Sequence, residues 1–259
     1  STSPKAGRKP PVSFNMRIFL SFIFFALAQL ALSQADPSAP LPGHSSHGAA
    51  FNKGPRQAAY WMEGKTGKVS FPIKTDKPEA QKFFNQGIGQ LHGFWTLEAE
   101  RSFRQGLKID PDNPMGYWGM AVANGTSSRA KDFIAKAVEH RDRADERCQM
   151  WIDAREAFQK ESDKKKRGGA YVKALEAISK KYPDDLEALA FLALQHYRNR
   201  GMKSTKQYEK VDDIIAKVLA KNPMHPSHHF RIHLWDNKNP KRALGSVGKC
   251  GQAAPTIAH

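Results

Sequence analysis

From Pro78 onward, apolar residues recur at the three- and four-residue spacing of amphipathic α-helices, and glycine or proline interrupts the pattern every few tens of residues. Strict alternation occurs only in residues 68–74, where Val69, Phe71 and Ile73 alternate with polar residues or proline. The pattern therefore predicts an all-α fold that is preceded by one short extended segment.

The first two predicted helices have the residue types of a closely packed pair. Gly87 and Ala99 are small where two antiparallel helices would approach each other, and Phe103 would fill the space between them. Later blocks repeat a core position followed by a closing proline, and the prolines at 183, 223 and 255 lie 40 and 32 residues apart. The positions that carry this pattern are Phe83, Gly87, Ala99, Phe103 and Pro111, and in the last pair Ala243 and Pro255.

Between these pairs, the spacing predicts helices over residues 115–123, 130–140 and 147–158. The charged stretch 162–169, which ends in two glycines, is interpreted as an exposed loop between helices. Such a loop could bind an acidic partner, although a simply solvated loop is favoured.

The paired pattern resembles the tetratricopeptide repeat, W-x2-L-G-x2-Y followed by A-x3-F and a closing proline, with Gln90 where tyrosine is usual. The resemblance implies a right-handed superhelix of antiparallel helix pairs with a concave binding face. Three further stretches are similar to those of large exported bacterial tetratricopeptide proteins of uncharacterised function: FNQGIGQLHGFW (84–95), PMGYWGMA (114–121) and HPSHHFRIHLW (225–235).

This resemblance covers residues 68–259, the predicted repeat domain. It supports the fold and export, and it transfers no catalytic residue. Because those proteins continue into further histidine-rich repeats, and because no capping helix follows Pro255, we expect the array to continue beyond His259.

The N-terminal part has the layout of a secretory signal peptide. Residues 16–35 combine a basic start, an apolar run of 15 residues from Ile18 to Leu32, and a small-x-small trio that ends at Ala35. A retained membrane anchor is the alternative, but a spanning helix needs roughly 20 apolar residues. Residues 1–15 are interpreted as an upstream extension and residues 36–67 as a flexible linker. The predicted location is therefore periplasmic or extracellular, or N-terminally anchored in the alternative, with membrane contact only through this segment.

The formal charge is +16, and removal of residues 1–35 would leave +12. A protein exported in this way is not expected to meet nucleic acid, so the charge indicates a lysine-rich solvated surface or an affinity for anionic polymers. The two cysteines, Cys148 and Cys250, would permit a disulfide without implying one.

Four histidines lie within nine residues, at His225, His228, His229 and His233. On a helix, the last two are one turn apart and could bind a divalent transition metal, with a third ligand from the others. The glutamate of the H-E-x-x-H motif is absent, which disfavours a zinc hydrolase. The alternative is that these histidines, with Arg231 and Trp235, line a groove or bond to helix ends.

The chain also lacks phosphate-binding loops, Cys-x-x-Cys pairs and the Gly-x-Ser-x-Gly elbow. No complete catalytic site is recognisable, so an enzyme is not favoured and no organic cofactor is expected. The leading hypothesis is a scaffold that binds a peptide or protein on its concave face. The competing hypothesis is a metal-binding or metal-dependent repeat protein.

Overall fold

The computed structural model describes residues 54–55, 58–199 and 201–257. The predicted extension, signal peptide and most of the predicted linker lie outside these residues. Within them there are ten α-helices and no β-strand, so the all-α class is confirmed for this part of the chain. The helices are α1 (Pro78–His92), α2 (Thr96–Ile109), α3 (Pro114–Ala123), α4 (Ser128–Glu139), α5 (Glu146–Lys160), α6 (Lys164–Lys181), α7 (Leu186–Arg198), α8 (Thr205–Lys221), α9 (His228–Trp235) and α10 (Leu244–Ala253).

The sequence sets half of the helix starts through side chains that accept hydrogen bonds from the first free backbone N–H groups. Asn113, Ser127, Asp145, Asp163 and Asp185 act in this way for α3 to α7. Proline occupies the first position of α1 and α3, where its missing N–H costs nothing. No helix in the described part of the chain is long and apolar enough to span a membrane.

The predicted exposed loop at residues 162–169 is wrong for most of its length. Asp163 accepts the backbone N–H of Lys166, and α6 begins at Lys164. Gly168 is therefore a helical residue, and a β-carbon there would lie 2.2 Å from the side-chain oxygen of Asn199. The glycine allows the end of α7 to approach α6 closely.

Each helix packs against the next one along the chain, which gives five successive pairs in the described residues. In the first pair, the ring of Phe103 lies directly against α1. A β-carbon on Gly87 would lie 2.5 Å from that ring, and one on Gly119 of α3 would lie 2.6 Å from it. Phe103 thus fills a space that two glycines leave open.

The core is an aromatic cluster to which the first helix of several pairs contributes. Phe191 of α7 contacts Trp118 of α3 and Trp151 of α5, with ring centroids 6.0 and 5.4 Å away. Phe71 packs on both tryptophans and on Phe84 of α1. These rings form the centre of the hydrophobic core in the described residues.

The segment 68–74, predicted to be strand-like, is not a strand but is fixed by side chains of α1. Asn85 accepts the backbone N–H of Phe71, and Gln81 bonds to the carbonyl of Phe71 and to the N–H of Ile73. These bonds replace the partner strand that an extended segment would otherwise need.

Residues 58–67 fall in the range predicted to be a flexible linker, yet part of this stretch is packed into the fold. Thr66 is buried, and the carbonyl of Lys65 accepts the backbone N–H of Thr256 at 3.2 Å. A β-carbon on Gly93 would lie 2.6 Å from Ile257. The first helix pair and the last described residues are consequently neighbours, and the predicted linker is too long at its C-terminal end.

Candidate functional site

The four histidines of the His225–His233 stretch face three different environments. His225 precedes α9 and points to Glu187 of α7. His228 points to Ser246 of α10, while His229 and His233 face each other on α9. The structure therefore does not bring the four predicted ligands together.

A buried trio is formed by His92, Glu187 and His225, and the sequence did not reveal it. His92 Nε2 lies 2.6 Å from Glu187 Oε2, and His225 Nε2 lies 3.1 Å from Glu187 Oε1. All three side chains are at most 1% exposed. The trio joins the last residue of α1 to the first turn of α7 and to the residues before α9.

Hydrogen bonds define where the protons of the trio lie. Ser227 donates its backbone N–H to His225 Nδ1 at 3.0 Å, so the His225 proton is on Nε2 and is donated to Glu187. Burial raises the pKa of Glu187, but the charges and hydrogen bonds of His225 and His92 outweigh it and bring the pKa to about 2. Burial lowers the pKa of His92. Glu187 is thus an ionised acceptor between two donor imidazoles.

The ligand atoms of the trio lie within 4.8 Å of one another, close enough to consider a metal ion. A metal at Nε2 would require each ring to carry its proton on Nδ1 instead. At His225 that proton would face the N–H of Ser227, and at His92 the buried Nδ1 atom has no hydrogen-bond partner in the described part of the chain. The trio therefore fits a polar cross-link of the fold better than a metal site.

His228 also uses both ring nitrogens within the protein. Its Nε2 lies 3.0 Å from the carbonyl oxygen of Pro223, to which it must donate, and its Nδ1 lies 3.0 Å from the hydroxyl of Ser246. The ring links α9 to α10 and to the turn that precedes α9. Because both ring nitrogens are bonded within the protein, neither is available to a metal.

His229 and His233 form a pair one helical turn apart, with their Nε2 atoms separated by 2.9 Å. His229 Nδ1 lies 2.8 Å from the carbonyl oxygen of His92, and His233 Nδ1 lies 3.3 Å from Asp236 Oδ2. The ring of Phe94 packs on both imidazoles. Of the four predicted ligands, only these two converge on one point.

The two predicted groove residues are not arranged for a ligand. Trp235 is 0% exposed and packs between Tyr208 and Arg242, so its predicted place in an open groove is wrong. Arg231 makes a two-pronged ion pair with Asp212 of α8, with N–O distances of 2.7 and 2.9 Å. Both residues hold α9 to its neighbours.

A second feature is a cavity of about 850 Å³ between α5, α6 and α7, which we call the basic cavity. Five cationic side chains and no carboxylate are among its described lining residues. The cations are Lys164, Lys165, Arg155, Arg167 and Arg198. The apolar part of the wall includes Val122, Phe158, Phe191 and Met202.

Arg155 lines the basic cavity and is only 5% exposed. It donates through Nη2 to the carbonyl oxygens of Ala121 and Gly125, while its buried Nε atom has no partner among the described residues. Burial lowers the pKa of Arg155 to about 10. Tyr171, also in the wall, has a buried hydroxyl without a partner in the same part of the chain, and burial raises its pKa.

The three arginines of the basic cavity differ from most others in the protein. Among the described residues, ion pairs with carboxylates are made by arginines 101, 104, 129, 141, 143, 147, 231 and 242, but by none of Arg155, Arg167 and Arg198. Arg155 and Arg167 instead lie 4.5 and 5.1 Å from the ring centroid of Phe158. The sequence signal for this cavity is the basic run at residues 164–167, although that run alone favours a solvated loop.

Comparison with known proteins gives no relative: no protein-family model, no curated protein and no solved structure matches this chain. The tetratricopeptide resemblance therefore stays a prediction from the sequence, and the site has to be interpreted from its own geometry.

Proposed function

We propose that this protein is a binding protein that holds a peptide or protein segment through carboxylate groups in the basic cavity. The observation that carries the proposal is the set of three arginines that have no acidic partner among the described residues and surround one concave space. The Nε atom of Arg155 and the hydroxyl of Tyr171, neither of which has a hydrogen-bond partner in the part of the chain that the structure describes, belong to residues of the same wall.

Buried positive charge without a counter-ion is energetically unfavourable, which is why the basic cavity should bind a carboxylate. A buried guanidinium that lacks a counter-ion loses hydration without full compensation, and a buried unpartnered hydroxyl costs roughly 1–3 kcal/mol. A bound carboxylate would supply the missing charge and acceptors, and arginine binds carboxylates with two parallel hydrogen bonds. The free protein is thus prepared for an anionic ligand.

A peptide suits the cavity in size and in surface. About 850 Å³ lies in the range of known ligand sites, roughly 300–1,000 Å³. The wall also offers the partly buried Phe158 and Met202 to apolar side chains. A small inorganic anion would leave these surfaces uncovered.

The proposal includes the finer features expected from the sequence. The five successive pairs support a right-handed tetratricopeptide-like superhelix, and the resemblance favours export to the periplasm or the exterior. The proposed binding site is the basic cavity and not the concave face that the sequence predicts. The inner aromatic cluster of Trp118, Trp151 and Phe191 is fully packed, so the ligand is assigned to the basic cavity beside it.

A peptide selection with the full chain tests the proposal. The probe is a pool of short peptides that carry Asp, Glu and a free C-terminal carboxylate, and the comparison pool has all carboxylates converted to amides. We expect enrichment from the first pool only. The Arg167→Gln/Arg198→Gln variant should lose roughly tenfold or more in affinity, since bonds between charged groups contribute roughly 1.5–3 kcal/mol.

The matched control is Arg141→Gln, which removes an arginine that pairs with Asp153 on an exposed surface. It should bind the selected peptides like the wild type. Equal enrichment from both pools, or equal affinity of the wild type and the double variant, would overturn the proposal.

A further inference from the structure

We propose that His229 and His233 bind a divalent transition metal ion through their Nε2 atoms. The two residues lie one turn apart on α9, and the Nε2 atoms are 2.9 Å from each other. Two imidazoles at i and i+4 on a helix can bind a single ion.

The second bonds of the two rings set the protonation that a metal requires. The carbonyl oxygen of His92 and the carboxylate of Asp236 can only accept, so each imidazole places its proton on Nδ1. Metal-binding histidines usually donate their other ring N–H to a carbonyl or carboxylate in this way. Both Nε2 lone pairs are then directed into the same gap.

Lone pairs that face each other at this distance repel, so the arrangement favours a cation between the rings. That cation is either a proton or a metal ion. A tetrahedral zinc ion with Zn–N bonds of about 2.0–2.1 Å places its nitrogens about 3.3 Å apart, so small rotations of the rings would admit it. Imidazole ligands favour zinc, copper and nickel over magnesium and calcium.

The other buried histidines provide an internal contrast. In His225 the proton is on Nε2 because Nδ1 accepts the N–H of Ser227, and in His228 both nitrogens are bonded within the protein. Of the predicted ligands, only His229 and His233 therefore present Nε2 lone pairs to a common point.

The pair can be reached from solvent and leaves room for further ligands. His229 is 7% exposed, while the His233 side chain is 36% exposed. A cavity of about 240 Å³ adjoins His233 and is also lined by Tyr197, Tyr208 and Asp236. Two protein ligands leave two positions of a tetrahedral ion for water or for an added ligand. The geometry thus points to an open site.

Equilibrium dialysis of the full chain against Zn²⁺ near pH 7.5 tests the site. The variants are His233→Ala, whose side chain is partly exposed, and His229→Ala. The control is His140→Ala, at the end of α4, which removes one histidine and leaves the pair intact. His44, His47 and His259 stay in every protein, so any metal that they hold cancels in the comparison.

We expect the wild type and His140→Ala to bind one Zn²⁺ more per chain than either pair variant. Co²⁺ at the same site should give a visible absorption band that both pair variants lack. Circular dichroism of each variant distinguishes a lost site from a lost fold, and His233→Ala alone is sufficient if His229→Ala unfolds. Equal zinc uptake by the wild type and folded His233→Ala would overturn the proposal.

Discussion

His92 and Glu187 are 95 residues apart in sequence, yet His92 Nε2 lies 2.6 Å from Glu187 Oε2 in a fully buried contact. The contact ties the end of α1 to the start of α7, and His225 adds the segment before α9. A buried carboxylate is tolerated only when its charge is compensated by donors of this kind. We therefore expect the trio to contribute strongly to the free energy of unfolding.

Removal of the carboxylate at Glu187 should destabilise the fold strongly. Glu187→Ala leaves two buried imidazoles without their acceptor, and breaking a buried pair of this kind costs about 3–5 kcal/mol. Urea denaturation measures the free energy of unfolding. The control Asp153→Ala removes an exposed partner of Arg141 and should change it by about 0.5 kcal/mol or less. Similar losses in the two variants would contradict a special role for the trio.

The stability of the protein should decrease as the pH falls, in two ranges set by the trio. Burial lowers the pKa of His92, so below pH 6.5 this residue is protonated in the unfolded chain but stays neutral in the folded chain. Protonation of the unfolded chain then reduces the free energy of unfolding. The folded pKa of Glu187 is about 2 against 4.5 unfolded, so its contribution is present above pH 4.5 and is lost toward pH 2.

The urea concentration at the unfolding midpoint should therefore be highest at pH 7.5, lower at pH 5.5 and lowest at pH 3.5. Glu187→Gln should show a smaller loss between pH 4.5 and the acid limit, because that titrating group is gone. An identical pH dependence in the wild type and Glu187→Gln would show that other groups dominate acid unfolding.

Glycines of the helices should respond to substitution according to the space around them. Gly87→Ala places a β-carbon 2.5 Å from the Phe103 ring and should destabilise by about 1–3 kcal/mol. Gly169 lies inside α6, and a β-carbon there would meet no other described part of the fold within 4 Å, so Gly169→Ala should stabilise by about 0.5–1 kcal/mol. Thermal unfolding tests both variants: the Tm should fall for Gly87→Ala and rise for Gly169→Ala. A Tm that changes in the same direction in both variants would contradict the close approach at Phe103.

Tyr171→Phe should separate stability from binding. The hydroxyl that it removes is buried without a partner among the described residues, so folding should be unaffected or improved by up to about 1 kcal/mol. Affinity for a carboxylate peptide should fall, because one donor in the basic cavity is lost. Tyr117→Phe is the contrast: its hydroxyl bonds to the carbonyl of Pro111, and its loss should cost about 1 kcal/mol without an effect on binding. Lower stability and unchanged affinity in Tyr171→Phe would exclude that role.

Much of the helical architecture could be predicted because it depends on local signals. The helices predicted at 115–123, 130–140 and 147–158 agree within two residues with the observed bounds of α3, α4 and α5. Periodic apolar positions and caps such as Asp145 define such elements from nearby residues alone. The loop predicted at 162–169 was wrong because the cap at Asp163 outweighs two glycines.

The site could be predicted only in part, because it depends on distant contacts. The His229–His233 spacing is visible within one helical turn, but the partners His92 and Glu187 lie far away along the chain. Likewise, the basic run at 164–167 is visible, whereas the lack of a carboxylate among the described residues around Arg155 emerges only when α5, α6 and α7 are packed together. No sequence spacing encodes those relationships.

The most direct test of the proposed function is a double-mutant cycle between the ligand's carboxylates and the basic cavity. The dissociation constant of one selected peptide is measured as the free acid and as the amide, against the wild type and against Arg167→Gln/Arg198→Gln. We predict that amidation weakens binding to the wild type roughly tenfold or more and has little effect on the variant, as expected for charge-assisted bonds. An equal effect of amidation on both proteins would contradict the account.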